Sequence, residues 1–344
     1  MLEYEMRAGG LAWVRNPISG VVSYVADLQD KNFAYTLGTQ LSVSAPLDPA
    51  AMRQAVADCP FCPGNEERTF PPEVMRLTPA QLPSWDGAGQ PEWVLRAFRN
   101  LFPRIPPELT GERNESYLVV EDPRHFLDLA RDHADLMYTG ALAASQFVAI
   151  IRMCAAIGAM ARANPAVRSV VVRKNQGRES GASQPHVHQQ IIGAPVDLPV
   201  LAAERAAMGA NPRLFEEMAD LAERCGLMLE RDRELAVYLS PVGTFPHSYD
   251  VVMPGWAQTM DQMPETMLER FARALHQVLA LVGAQPLDYE IHQAENLPLH
   301  AHVNVRRFPY SNVAGTLVLP KRMLESVAAF QRARYRRQGA PLPA

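Results

Sequence analysis

The chain has 344 residues, 48% hydrophobic and 20% charged, the profile of an ordinary globular protein with room for two domains or one duplicated unit. A net charge of −4 leaves no nucleic-acid footprint, so DNA and RNA are not expected partners. No N-terminal segment reads as a signal peptide and no apolar run approaches the ~20 residues of a bilayer span, so the expectation is a cytoplasmic protein with no membrane partner.

In chain order, the first strong feature is Cys59-Pro60-Phe61-Cys62. Four cysteines in all are too few for a disulfide scaffold. The Cys59/Cys62 knuckle offers two thiolates to one metal, with redox use as the alternative. No second such knuckle follows, so any zinc has to recruit histidines. Cys154 and Cys225 stand alone on helical patterns and read as buried filler. The Pro-rich stretches 71–91 and 103–107 read as ordered surface loops.

Strand-like runs at 93–98 and 117–120 precede an amphipathic helix at 136–163 and a β-branched strand at 167–173. A polar Gly-rich loop and a strand at 186–192 follow. After a charged, helical linker over 195–233, the order recurs: strands at 235–239 and 249–253, a helix at 264–282 with Pro264 in its first turn, and a strand at 288–292. A polar loop and a strand at 300–306 close the chain's second half, before a basic tail from Arg332 whose last residues are expected to fray. The closing strands carry matching motifs, His186-Val-His188 and His300-Ala-His302, at comparable points of the two patterns. The pattern predicts a duplicated α+β protein with domains at 1–195 and 196–344.

The segment from Asn175 to Gln190 carries the chemistry. Alternate residues of a strand share a face, so His186, His188 and Gln190 project together while Val187 faces away. Gly177 and Gly181 in the preceding loop allow close approach of backbone N–H groups to an anion, and Ser183 adds a hydroxyl. A neutral imidazole is a good nucleophile near pH 7, and the surrounding donors absorb charge on phosphoryl oxygens. The arrangement suits attack of a histidine on phosphorus, through a covalent nucleotidyl-histidine. A bare pair of histidines would equally suit a structural metal.

The pattern N-x-G-x-x-x-G-x-S-x-x-H-x-H-x-Q resembles the active-site motif of the galactose-1-phosphate uridylyltransferase family of the histidine-triad superfamily. That resemblance implies tandem histidine-triad-like units, each an antiparallel sheet with helices packed on it, related as a pseudo-twofold duplication. It implies His188 as nucleophile and Gln190 as its phosphate partner, with Asn175 and Ser183 at substrate-contacting positions. The family has proline where this chain has Val187. A structural zinc is implied on Cys59, Cys62, His125 and His186. A second iron or zinc is implied on Glu204, His292, His300 and His302, a set that could equally be a metal-free polar cluster. The resemblance extends to Arg15-Asn-Pro-Ile-Ser-Gly20, to Arg99-Asn100 with Phe102, whose Asn contacts the nucleoside, and to Pro60 and Phe61 at the base pocket, where Phe61 could as well be core. The family's dimeric, shared sites imply a homodimer.

Two departures bear on the acceptor. The arginines that reach a sugar phosphate in the family are missing from the stretch after Gly20. Near the C-terminus, Lys321 and Arg322 stand where the family contacts a hexose, and cations there suit phosphate or carboxylate unless they are simply solvated at a helix start. The first expectation is a nucleotidyltransferase moving a nucleoside monophosphate, UMP first, between a nucleotide sugar and a sugar 1-phosphate. The alternative is a phosphorylase that cleaves a nucleotide sugar or dinucleoside polyphosphate with inorganic phosphate, and a non-catalytic nucleotide-binding protein is a third reading.

Overall fold

A computed structural model describes residues 2–26, 48–69, 73–105, 115–130, 135–243, 247–306 and 316–339. In chain order the strands and helices are β1 (Tyr4–Arg7), β2 (Gly10–Arg15), β3 (Val22–Ala26), α1 (Pro49–Asp58), β4 (Glu73–Leu77), β5 (Leu95–Arg99) and β6 (Ser116–Val120). Then come α2 (Ala144–Arg162), β7 (Ser169–Gln176), β8 (His188–Ala194), α3 (Pro199–Ala210), α4 (Leu214–Arg224) and β9 (Met228–Arg231). The last are β10 (Ala236–Leu239), β11 (Ser248–Met253), α5 (Glu265–Val282), β12 (Leu287–Ala294), β13 (Leu297–Val305), β14 (Thr316–Pro320) and α6 (Lys321–Gly339).

The chain forms two compact units interleaved in sequence: Ser42–Asp197 with Met260–Ala284, and Met1–Leu41 with Leu198–Thr259 and Gln285–Ala344. In the first, strands run β4-β5-β6-β8-β7, all antiparallel. In the second, the order β9-β10-β11-β13-β12 is again antiparallel, beside a small sheet β1-β2-β3-β14 in which β3 and β14 are parallel. The two strand orders are the same, element for element, so the α+β duplication read from the sequence is present in the fold.

Helix α2 covers the first sheet, packing on β6, β7 and β8 and against α5. Its Phe147, Ile150, Ile151 and Ile157 are wholly buried, each contributing about 2 kcal/mol of transfer free energy. At 19 residues and a mean hydropathy of 1.6 it has the length and composition of a membrane span, closer than the sequence reading allowed, yet 67% of that window is buried within the fold. Cys154 is part of this buried face, and burial pushes its thiol up.

The expected helix at 136–163 starts only at Ala144. Before it, Leu136 bridges Phe126 and Thr139–Ala141 form a single 3-10 turn. Gly140 lies against the α5 main chain so closely that a Cβ would come within 2.4 Å of the Leu279 carbonyl oxygen. Only glycine fits at 140 against that carbonyl. The polar loop expected between 292 and 300 is a tight hairpin instead: β12 and β13 are joined at Glu295-Asn296, with Asn296 at φ 61°. Strand β4 lies inside the Pro-rich stretch read as loop, and residues 70–72, 106–107 and 340–344 lie outside the described residues.

Candidate active site and metal centres

Helix α1 delivers the cysteine knuckle. Asp48 caps it, accepting from Ala50 N and Ala51 N, Pro49 occupies its first turn, and the helix ends at Cys59. Cys59 Sγ then accepts from Phe61 N (3.4 Å), and Asn65 Nδ2 donates to the Cys59 carbonyl (2.8 Å), folding the chain so that both thiols face inward.

There they meet His125 and His186. Cys62 Sγ lies 3.3 Å from His125 Nδ1 and 3.4 Å from His186 Nδ1, and Cys59 Sγ lies 3.5 Å from His186 Nδ1. All four residues are buried, with donor atoms within 4.8 Å of one another. A tetrahedral zinc with Zn–S near ~2.3 Å and Zn–N near ~2.05 Å has S···N edges of about 3.6 Å, so the spacing fits a four-coordinate metal. The neighbouring Cys62 thiol first, and then the His125 and His186 rings, hold Cys59 far below the ordinary thiol range, while Cys59 and burial push Cys62 up. The Nε2–H of His186 donates to the Asp122 carbonyl (2.7 Å), which fixes the tautomer that turns Nδ1 toward the thiols.

His188 is the first residue of β8, opposite Val120 of β6. His186 and Val187 precede the ladder rather than lying within it, as the sequence reading had them. The His188 Nδ1–H donates to the His186 carbonyl (2.7 Å), leaving Nε2 without its proton. Burial first, and then the nearby Lys174 charge, push His188 down to about 4, so the ring is neutral at pH 7. Its ring stands edge-on to Phe61, with centroids 5.3 Å apart.

His188 lines a cavity of about 350 Å³. Gln190, Ser183, Gly181, Asn100, Phe102, Pro60 and Phe61 line the same cavity, so eight residues singled out from the sequence meet at one place. Gly181 is left-handed at φ 84° and closes the loop in front of the histidines. Asn175 does not line the cavity: it is buried beneath that loop, its Nδ2 donating to the Ser180 carbonyl and its Oδ1 accepting from Arg173 Nε (2.9 Å). Lys321 and Arg322 open α6, and their side chains lie outside the described residues.

The sequence reading missed Arg68, Thr69, Arg104 and Gln184, which also line the cavity, and Phe98 and Leu118, which wall it. Gln184 lies within the histidine motif itself, two residues before His186, but no spacing rule links Phe98 or Leu118 to it. Only the antiparallel register brings β5 and β6 alongside β8. Among the described residues the lining holds two arginines and no carboxylate, a setting for an anionic ligand, and Phe61, Phe98 and the exposed Phe102 give it flat apolar surface.

In the second unit, α3 supplies Glu204 to three imidazoles set by the β11-β13-β12 register, where His300 pairs with Val252 and His292 and His302 pairs with Asp250 and Glu290. Glu204 Oε1 lies 2.8 Å from His292 Nδ1, 3.4 Å from His300 Nε2 and 3.5 Å from His302 Nε2. Burial alone would raise the Glu204 carboxyl, but the surrounding imidazoles hold it far below the carboxylate range. The His300 ring is fixed by donation to the Pro298 carbonyl (2.7 Å) and the His302 ring by Asp250 Oδ1 (2.6 Å). Beyond the 3.4 Å approach of Glu204, buried His300 Nε2 has no hydrogen-bond partner among the described residues, as a metal ligand would not, and the N3O set can hold a metal ion.

Comparison with known proteins places this geometry. A family model described as a domain of unknown function, DUF4921, matches residues 114–290, the stretch containing His125, His186, His188 and Glu204. An ADP-glucose phosphorylase of Arabidopsis thaliana is 27% identical over 175 residues, 47% of this chain. The match spans 43% of that relative, less than half its length. Among solved structures, an Arabidopsis thaliana ADP-glucose phosphorylase with bound ADP-glucose superposes with a TM-score of 0.64 at 18% identity, over 96% of this chain and 99% of its own. A uridylyltransferase superposes with a TM-score of 0.60 at 19% identity, over 95% and 99%. These likenesses show the uridylyltransferase-like histidine-triad fold.

Proposed function

Because the chain belongs to the DUF4921 family and has the galactose-1-phosphate uridylyltransferase-like fold of the histidine-triad superfamily, we propose that it transfers a nucleoside monophosphate through a covalent intermediate on His188. The observation that carries this reading is the His188 ring. Its Nδ1–H is committed to the His186 carbonyl, its Nε2 lone pair is free of a proton, and the residue opens on a cavity whose lining, among the described residues, has two arginines and no acid.

In the first step Nε2 attacks the α-phosphorus of a nucleoside diphosphate sugar. A P–N bond forms, the P–O bond to the leaving sugar 1-phosphate breaks, and the bond electrons stay on that oxygen. The Nδ1 proton remains on the ring, and its hydrogen bond to the carbonyl stabilises the cationic nucleotidyl-imidazole. Gln190, Ser183 and the amides of the Gly181 loop are placed to take the phosphoryl oxygens. In the second step an oxygen of an ionised phosphate attacks phosphorus, the P–N bond breaks, and the lone pair returns to Nε2.

A sugar 1-phosphate, as first read from the sequence, and inorganic phosphate both supply that oxygen. Inorganic phosphate is favoured by two observations: the arginines expected to hold a sugar phosphate are missing after Gly20, and the sequence relative is an ADP-glucose phosphorylase. We assign zinc to the Cys59–Cys62–His125–His186 cluster, where it would hold the strand carrying His188, and iron or zinc to the Glu204 cluster.

The test is incubation with UDP-, ADP- and GDP-glucose labelled at the α-phosphate. An acid-labile, base-stable adduct, lost in His188→Ala, is the expected result, and phosphate or glucose 1-phosphate is then added to discharge it. Failure of every donor to label the wild type sinks the covalent mechanism. Discharge by glucose 1-phosphate alone sinks the phosphorylase.

A further inference from the structure

We infer that Lys174 and Glu121 form a buried device that holds the main chain of the nucleophile segment, with Lys174 a positioning residue for His188; this rests on His188 being the nucleophile. The β7–β8 ladder ends at the pair Arg173–Gln190, two residues short of His188. Successive strand carbonyls point to opposite sides. The Val187 carbonyl accepts from Glu121 N (3.1 Å) on the β6 side, so the His188 carbonyl faces β7, past the end of the ladder. Lys174, the next β7 residue, fills that gap: its Nζ donates to the His188 carbonyl at 3.1 Å and to Glu121 Oε1 at 2.5 Å.

The same carboxylate accepts from Gln189 Nε2 (2.9 Å) and Thr139 Oγ1 (2.7 Å). With the His186 ring on the Asp122 carbonyl, each of residues 186 to 189 is tied to 121, 122 or 174. The side chains of Lys174 and Glu121 are 1% and 0% exposed. A buried ion pair is seldom the most stable filling of such a space, since apolar residues of similar volume usually do as well. What an apolar pair could not do is supply a donor to the His188 carbonyl and a rigid acceptor to its neighbour.

The test compares wild type with Lys174→Met/Glu121→Gln, which removes both charges together, and with Glu121→Asp, which keeps both but withdraws the carboxylate by one methylene. The readouts are the single-turnover rate of nucleotidyl-enzyme formation from UDP- or ADP-glucose, the dissociation constant of that donor, metal content and Tm. The double variant is expected to lose roughly 100-fold in adduct rate, as a displacement near 1 Å does, and Glu121→Asp several-fold, with donor affinity, metal and Tm kept. A wild-type adduct rate in either folded variant overturns the proposal, as does a rate loss that merely tracks lost metal or Tm. No adduct in the wild type overturns the nucleophile assignment itself, an outcome separate from these.

Discussion

Replacing Cys62 by serine should abolish the zinc binding proposed for the first cluster and unlatch the strand of the proposed nucleophile. Cys62 is the member within reach of both imidazoles, at 3.3 and 3.4 Å. The cluster ties points far apart in the chain, with 63 residues from Cys62 to His125 and 124 from Cys62 to His186. A cross-link closing a loop of about 60 residues removes about 4 kcal/mol of unfolded-state freedom, and two such loops are closed in succession, 62 to 125 and 125 to 186. That sets a ceiling near ~8 kcal/mol, lowered by any metal held on the unfolded thiols. Loss of about half of it lowers the Tm by about 10 °C at the ~2–4 °C per kcal/mol usual for a unit of this size. Elemental analysis and calorimetry of Cys62→Ser, and of wild type with and without a strong chelator, measure both quantities. Wild-type zinc in Cys62→Ser, or a Tm within ~2 °C of wild type once the zinc is gone, refutes the latch.

Three further outcomes are expected. Asp250→Asn weakens the hydrogen bond that aims His302, so the second metal should leave about 10- to 100-fold more readily in chelator competition while the first stays; equal retention would show Asp250 to be a bystander. Gly193→Ala would put a Cβ at 2.8 Å from Glu115 Cβ and 3.2 Å from both the Glu115 carbonyl oxygen and Val167 Cγ2, costing about 1–3 kcal/mol in denaturant titration, and an unchanged midpoint would mean that β6 and β8 can part without penalty. His247 is held down to about 4 by burial, so the folded state keeps it neutral while the unfolded chain takes a proton below its ordinary ~6.5; its contribution is whole above that, is lost as pH falls toward 4, and amounts to about 3 kcal/mol, so His247→Gln should flatten the slope of stability between pH 6.5 and 4, measured by urea titration across that range.

Local pattern made part of this molecule legible. Strand period and Gly-rich spacing put His188, Gln190, Gly181 and Ser183 at one cavity, and Phe61, which the resemblance set at a base pocket and which could equally have been core, lines the same cavity. The resemblance brought in His125, 63 residues from its cysteine, which spacing could not have found. Long-range register was invisible. Nothing in the string Val119-Val120-Glu121-Asp122 says that its two acids are wholly buried, or that one will meet Lys174 while the carbonyl of the other takes the His186 ring. Nor does an amphipathic run over 264–282 say that α5 packs with α2 and with the 3-10 turn at 139–141, where only glycine fits at 140.

The register also revises how the two halves correspond. Matching the histidine pairs by eye sets His188 against His302. The ladders give another pairing: Ser116 opens β6 and Ser248 opens β11, and Val120 pairs with His188 as Val252 pairs with His300. His188 therefore answers to His300, and Gln190, opposite Leu118, answers to His302, opposite Asp250. The ring hydrogen bonds agree, since His188 and His300 each donate Nδ1–H at 2.7 Å to the carbonyl two residues earlier. Both halves thus build the same device, a histidine clamped at Nδ1 with Nε2 presented. In the first half Nε2 belongs to a residue that opens on an anion-fitted cavity. In the second, Glu204 stands 3.4 Å from it and His302 replaces the amide that would bind a phosphoryl oxygen. The duplicated strand keeps the clamped-histidine geometry and changes its neighbours, so that under the proposed chemistry the same lone pair would attack phosphorus in the first half and hold a cation in the second.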